Sequence, residues 1–166
     1  PVIPDFARND LNNVVTAEDV LLGRVDTGSE VLVLGGGEVG CETAHFLAEY
    51  GKSVTIVEMA DDIGIEVGFI PRPLLLGKLK LLGVKMLDST KVDEILNDCV
   101  IVEQDGTKQK MAGFDNIVLA LGYASVNDLY DQIKELVAET YLVGDARTPG
   151  NVMVTLRDAV DIASQL

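Results

Sequence analysis

The residues with the most chemical promise in this chain are glycines. The run Gly35-Gly36-Gly37-Glu38-Val39-Gly40 contains the spacing Gly35-x-Gly37-x-x-Gly40, and an acid, Glu58, stands 18 residues beyond Gly40. Between a strand and a helix, glycines at this spacing do three things. The first allows a tight turn, the second lets backbone approach a pyrophosphate with no Cβ in the way, and the third lets helix and strand pack closely. Gly35, Gly37 and Gly40 take these roles in turn. The unpaired N–H groups and dipole of the helix that follows attract phosphates. Glu58 can accept hydrogen bonds from both ribose hydroxyls of an adenosine, and its charge opposes a 2′-phosphate. No Lys or Arg follows it; the next residues are Met59-Ala60-Asp61-Asp62. The expected ligand is NAD(H) in preference to NADP(H).

Other reactive side chains have plainer readings. Glu42 lies two residues past Gly40, near the mouth of the expected crevice, where a solvated helix face explains it equally well. Cys41 reads as core packing against the strands, and His45 as a surface or half-buried helix residue rather than a general acid. Tyr130-x-x-x-Lys134 has the spacing of a Tyr acid beside a Lys that lowers its pKa. A matching Ser is missing about a dozen residues upstream, and the two are more simply i,i+4 neighbours on a helix.

Elements of the right kind surround the glycines. Val31–Leu34 and Val54–Val57 are short apolar runs rich in β-branched residues, as in strands buried on both faces of a parallel sheet. Glu38–Tyr50 has helical spacing and stops at Gly51. Strand, helix and strand fit in about 30 residues, the size of a βαβ unit. Thr16-Ala-Glu-Asp19 reads as a capping box opening a short helix. The spacing predicts an irregular 61–73, a helix over 74–82 and a strand over 84–87. It then predicts a small antiparallel meander between Lys91 and Met111 with its turn at Gln104-Asp-Gly106. A buried strand over 116–121, a helix over 129–137, a short strand over 141–143 and a closing helix over 151–165 complete the pattern.

Composition bounds the partners. The chain has 166 residues, 48% of them hydrophobic and 24% charged, which describes a globular domain. Thirteen Lys and Arg against 27 Asp and Glu give a net charge of −14, with one His and two Cys. Nucleic acid is not an expected partner, because phosphate contacts need clustered cations. An anionic membrane surface is disfavoured for the same reason, and the apolar runs are too short to span a bilayer. Cys41 and Cys99 form no CxxC pair, so neither a zinc site nor a disulfide framework is expected, and a reducing cytoplasm is the natural setting. A dinucleotide is itself anionic, so its affinity has to come from local N–H donors and not from the field of the whole chain. Residue 1 is Pro, and the expectation is of a processed chain or a piece of a longer one.

Two longer stretches carry a resemblance. Gly35-Gly-Gly-Glu-Val-Gly-Cys-Glu-Thr-Ala44 followed by Phe46–Met59 resembles the pyridine-nucleotide domain of the NADH:flavin oxidoreductase / NADH oxidase family, which includes 2,4-dienoyl-CoA reductase. Ile117-Val-Leu-Ala-Leu-Gly122 resembles the strand-plus-glycine motif of two-dinucleotide flavoproteins, and Thr140-Tyr-Leu-Val-Gly-Asp145 their second FAD-contact motif. The resemblance implies a pyrophosphate lined by Gly35, Gly36, Gly37, Glu38, Val39 and Gly40. It places Glu58 and Met59 at the adenosine and Glu42 and Gly122 toward the nicotinamide. Gly144 and Asp145 would meet FAD, in a site incomplete within this chain.

The expected fold is therefore an α/β, three-layer Rossmann-type FAD/NAD(P)-binding domain with a central parallel sheet and a small antiparallel meander. Residues 1–27 are expected as an arm from a neighbouring FAD domain, 28–123 as the NAD(H)-binding domain and 124–166 as a return segment. The expected function is NAD(H) binding within an FAD-linked oxidoreductase, passing hydride from NADH to a flavin carried by the rest of the enzyme, with no protein acid, base or nucleophile and no metal. The chain by itself is not expected to catalyse. A non-redox ADP- or NAD-binding structural or regulatory module is the alternative, and a homodimer paired through the meander is a third.

Overall fold

The computed structural model describes residues 1–7 and 11–165. The expected arm therefore falls partly outside the described residues, at positions 8–10. The chain forms two compact units, Pro1–Gly122 and Tyr123–Leu166.

In the first unit, β1 (Val14–Thr16) leads into α1 (Ala17–Leu21), capped by the Thr16 hydroxyl accepting from Asp19 N at 3.1 Å. Then come β2 (Glu30–Leu34), α2 (Glu38–Glu49), β3 (Ser53–Val57), α3 (Pro71–Leu81) and β4 (Lys85–Leu87). An antiparallel sheet of β5 (Thr90–Ile95), β6 (Cys99–Gln104) and β7 (Thr107–Ala112) follows, and β8 (Asn116–Leu119) returns to the first sheet. That sheet has the order β1-β8-β2-β3-β4, and every pairing in it is parallel.

The apolar alternation of β2 builds the layers. Val31 and Val33 face one way, into a cluster with Cys41, Ala44 and Leu47 of α2 and Leu79 of α3. Leu32 and Leu34 face the other way, onto Ile95, Val100 and Val102 of the antiparallel sheet. The parallel sheet is thus sandwiched between helices and a second sheet, and both its faces are dry. Full burial of each such Val or Leu is worth about 1.5–3 kcal/mol. Residues 14–16, expected in the arm, pair with β8 and belong to this sheet.

Two further expectations shift in the first unit. The irregular stretch stops at Ile70, because Pro71 and Pro73 lie within the first turn of α3, where a missing N–H costs nothing. The meander reaches one residue past each expected end, to Thr90 and Ala112, because Thr90 pairs with Gln104 and Ala112 with Cys99 across the ladder. A bulge between Val92 and Glu94 interrupts the β5–β6 ladder at Asp93.

The second unit holds α4 (Asp128–Ile133), a 3-10 turn at Gly144–Ala146 and α5 (Val152–Ala163). Asn151 caps α5 by accepting from Met153 N and Val154 N at 3.1 and 3.2 Å. Arg147 pairs with Asp158 at 2.8 Å, and Ser125 Oγ donates to the Arg147 carbonyl. The α4 helix ends at Ile133, short of the predicted end at 137. Tyr141–Val143 is not a strand, because a strand needs a ladder partner and none of the described residues offers one. Among the described residues, no helix is long and apolar enough to cross a membrane.

Candidate functional site

The turn after β2 decides where the site lies. Gly35 has φ +104°, and a Cβ there would come within 2.3 Å of the Ala120 carbonyl oxygen. A Cβ on Gly40 would sit 1.9 Å from the Gly35 carbonyl oxygen, so the first turn of α2 can touch the end of β2 only with glycine there. Gly37 is the N-cap of α2, extended at φ −70° and ψ −167°, and no side chain caps the helix. The N-terminus of α2 is thus held close to the sheet with its N–H groups unclaimed by a cap.

Around this turn lies a cavity of about 540 Å³. It opens at the carboxyl ends of β2, β3 and β8, where strand order reverses: β3 follows β2 on one side, and β8 returns to the other. A crevice at such a switch point is the usual ligand site of an open α/β sheet. Gly35, Gly36, Gly37, Val39, Glu58, Met59 and Gly122 line it, seven of the residues expected from sequence. Gly40 is buried behind the turn and acts through packing. Glu38 and Glu42 are exposed and lie outside the lining, on the solvent side of α2. Gly144 and Asp145 lie in the second unit, where Asp145 Oδ1 accepts from Gly150 N at 3.2 Å and closes the turn before α5.

Glu58 has a second task that its position in the sequence does not announce. Its Oε2 accepts from Gly36 N at 2.6 Å, and its Oε1 from Ala60 N at 2.8 Å. The carboxylate therefore ties the glycine turn to the end of β3. A carboxylate has about four acceptor sites, so two remain for a ligand's hydroxyls.

Several lining residues were invisible to motif reading. Phe6 comes from the N-terminal 3-10 turn, Ile65 and Glu66 from the loop after β3, and Lys91 and Val92 from β5. Lys91 is a cation in the lining, and its ammonium pairs with Asp93 at 3.5 Å. The loop is fastened by Arg72, which donates twice to the Ile63 carbonyl at 3.0 and 2.7 Å and pairs with Asp62. That ion pair holds the Asp62 carboxyl below its ordinary range.

The remaining reactive side chains are accounted for structurally. Cys41 is buried with its Sγ 3.4 Å from the Gly36 carbonyl oxygen, and burial pushes its thiol up to about 11. His45 faces Glu49 at 3.4 Å one turn along α2. Lys134 pairs with Asp131 at 2.7 Å and lies 5.7 Å from the Tyr130 ring centroid, a surface arrangement around the end of α4. Among the described residues, no group of three or more His, Cys, Asp or Glu could hold a metal.

The residues fit the phosphate end of a dinucleotide: glycines where a Cβ would obstruct, free N–H groups at a helix N-terminus, and an anchored carboxylate at the next strand end. The chain is also similar to known proteins. A cinnamate reductase from Clostridium sporogenes is 33% identical over 93% of this chain and 24% of its own length. An NADH oxidase from Thermoanaerobacter brockii is 36% identical over the whole of this chain and 26% of its own. The solved structure of a 2-naphthoyl-CoA reductase superposes with a TM-score of 0.88 at 25% identity, over all of this chain and 25% of its own. The chain thus spans about a quarter of the length of these relatives. The family model for pyridine nucleotide-disulphide oxidoreductases matches residues 1–151, and the chain belongs to that family.

Proposed function

We propose that the cavity binds NAD(H) and that the chain is the nicotinamide-nucleotide domain of a larger flavoenzyme. The observation that carries this reading is the convergence, at one switch point, of the open N-terminus of α2, the glycines before it and the Glu58 carboxylate. Gly35–Gly40 seat the pyrophosphate through backbone N–H groups. Glu58 offers its remaining acceptor sites to the adenosine ribose, and exposed Met59 covers the adenosine edge. Gly122, in the left-handed region at φ +84°, leaves the opposite wall of the cavity open toward the nicotinamide. When bound, NADH supplies a hydride for a flavin. This chain positions the nucleotide and supplies no acid, base or nucleophile, since transfer between two cofactors depends on placement.

FAD is held mainly by the remainder of the enzyme, with Gly144 and Asp145 contributing one edge of its site. The names of the relatives, an NADH oxidase and two reductases, support an electron-transferring role of this kind. The narrower tie to 2,4-dienoyl-CoA reductase rests on the Gly35–Met59 stretch. NAD(H) is preferred over NADP(H) because Glu58 faces the ribose and Lys91 is engaged by Asp93.

Calorimetric titration of the chain with NADH, NADPH, ADP and FAD in parallel tests the reading. NADH is expected to bind more tightly than NADPH and than ADP. Equal binding of ADP and NADH would favour a non-redox nucleotide module, and tighter NADPH binding would overturn the assigned role of Glu58.

A further inference from the structure

The loop after β3 carries to the glycine turn a charge that dinucleotide binding does not need. It is fixed at several points. Gly64 N donates to the Gly36 carbonyl at 2.6 Å, Ile63 and Val67 are buried, and Arg72 clamps the Ile63 carbonyl. Between Ile63 and Val67, Glu66 faces the cavity. A Cβ on Gly37 would lie 2.7 Å from Glu66 Oε2. A carboxylate oxygen therefore stands over the glycine whose bare face a pyrophosphate has to approach. Gly37 is also the uncapped N-terminus of a twelve-residue helix, where dipole and N–H groups favour an anion. Glu66 itself is exposed, and among the described residues no hydrogen bond or ion pair holds its carboxylate.

We propose that Glu66 is a tethered competitor for the pyrophosphate seat, a carboxylate that the dinucleotide has to displace. The proposal rests on the NAD(H) reading of the cavity. Two anions cannot share one helix N-terminus without repulsion, and the fastened loop keeps Glu66 beside Gly37 at a high effective concentration. With its backbone clamped and its head group unbound, the side chain swings aside while the loop stays in place. Glu66 thereby lowers affinity for any ligand that brings phosphate to Gly37 and leaves phosphate-free ligands alone.

The test compares adenosine, ADP and NADH by calorimetry on the 166-residue chain, as wild type, Glu66→Gln and Glu66→Ala. ADP and NADH are expected to bind about fivefold more tightly to both variants, and adenosine equally to all three. Added salt is expected to strengthen NADH binding to the wild type more than to Glu66→Gln, since it screens the repulsion. Unchanged or weaker ADP and NADH binding in both variants, or an equal gain for adenosine, overturns the assignment of Glu66 and leaves the cavity's function standing. A wild type that binds neither ADP nor NADH overturns the function and this proposal together.

Discussion

Pro1–Gly122 and Tyr123–Leu166 differ in where their apolar residues sit. In the first unit, Val31, Leu32, Val33 and Leu34 are all fully buried, with helices on one side of them and a sheet on the other. In the second, neither helix buries a residue, and Val152, Leu156 and Val160 of α5 are 73%, 54% and 65% exposed. A helix in water draws most of its stability from packing an apolar face. The α5 helix has instead a side-chain cap at Asn151 and one ion pair to Arg147. The first unit closes its own core and presents a finished cavity, whereas the second displays an apolar face with the residue types of a core. One chain can thus hold a region that buries its apolar strands completely and another whose helices leave their apolar residues exposed.

The strongest response is expected where the first unit is most tightly closed. Gly40→Val drives side-chain atoms into the Gly35 carbonyl, which is backbone and cannot yield. A loss of about 3 kcal/mol in stability is expected, together with loss of NADH binding. Chemical denaturation and calorimetry would read both, and a variant of wild-type stability would break the picture of a packed turn. Next comes the direct contrast. Leu32→Ala should cost about 3 kcal/mol, whereas Leu156→Ala should cost under about 0.5 kcal/mol. Equal costs would mean that α5 is covered after all.

Glu58→Gln is expected to have an intermediate effect. It replaces one of two carboxylate acceptors by an NH₂ that faces a backbone N–H, costing about 1–2 kcal/mol and loosening the turn at Gly36. It also lessens the charge against a 2′-phosphate, so the ratio of NADH to NADPH affinity should fall. An unchanged ratio would show that Glu58 only braces the turn.

Asp62 should respond most weakly. Its hydrogen bond with Arg72 lowers its pKa from 3.8 in the folded state. A carboxyl depressed in this way contributes stability above its unfolded pKa and loses it as the pH falls through the lower, folded value. The Asp62–Arg72 pair should therefore hold at neutral pH and weaken only below 3.8, as an NMR titration of the Asp62 carboxyl would show. A midpoint at or above 3.8 would mean that the ion pair takes no part in holding the loop that carries Glu66.

Much of the glycine turn was legible because such a turn is a local object. Gly35, Gly37 and Gly40 act on one another within six residues, and Glu58 ends the next strand, one helix away. The loop residues were not legible for the opposite reason. Nothing near Glu66 in the chain says that Gly64 will bond to Gly36, and nothing near Lys91 says that β5 will lie beside the end of β3. The start of α3 could have been read, since proline belongs in a helix's first turn. Tyr141–Val143 could not, because its apolar pattern suits a strand but pairing depends on a neighbour the pattern does not contain.

The amino-acid order was enough to specify the turn, the helix it opens, the buried strands on either side and the acid at the next strand's end, because each depends on spacing within a few residues. Folding in three dimensions was needed to establish that Glu58 braces Gly36, that Lys91 reaches the cavity already paired, and that Glu66 stands over Gly37. Those facts depend on contacts between segments far apart along the chain, and such contacts exist only once the sheet has brought the segments together.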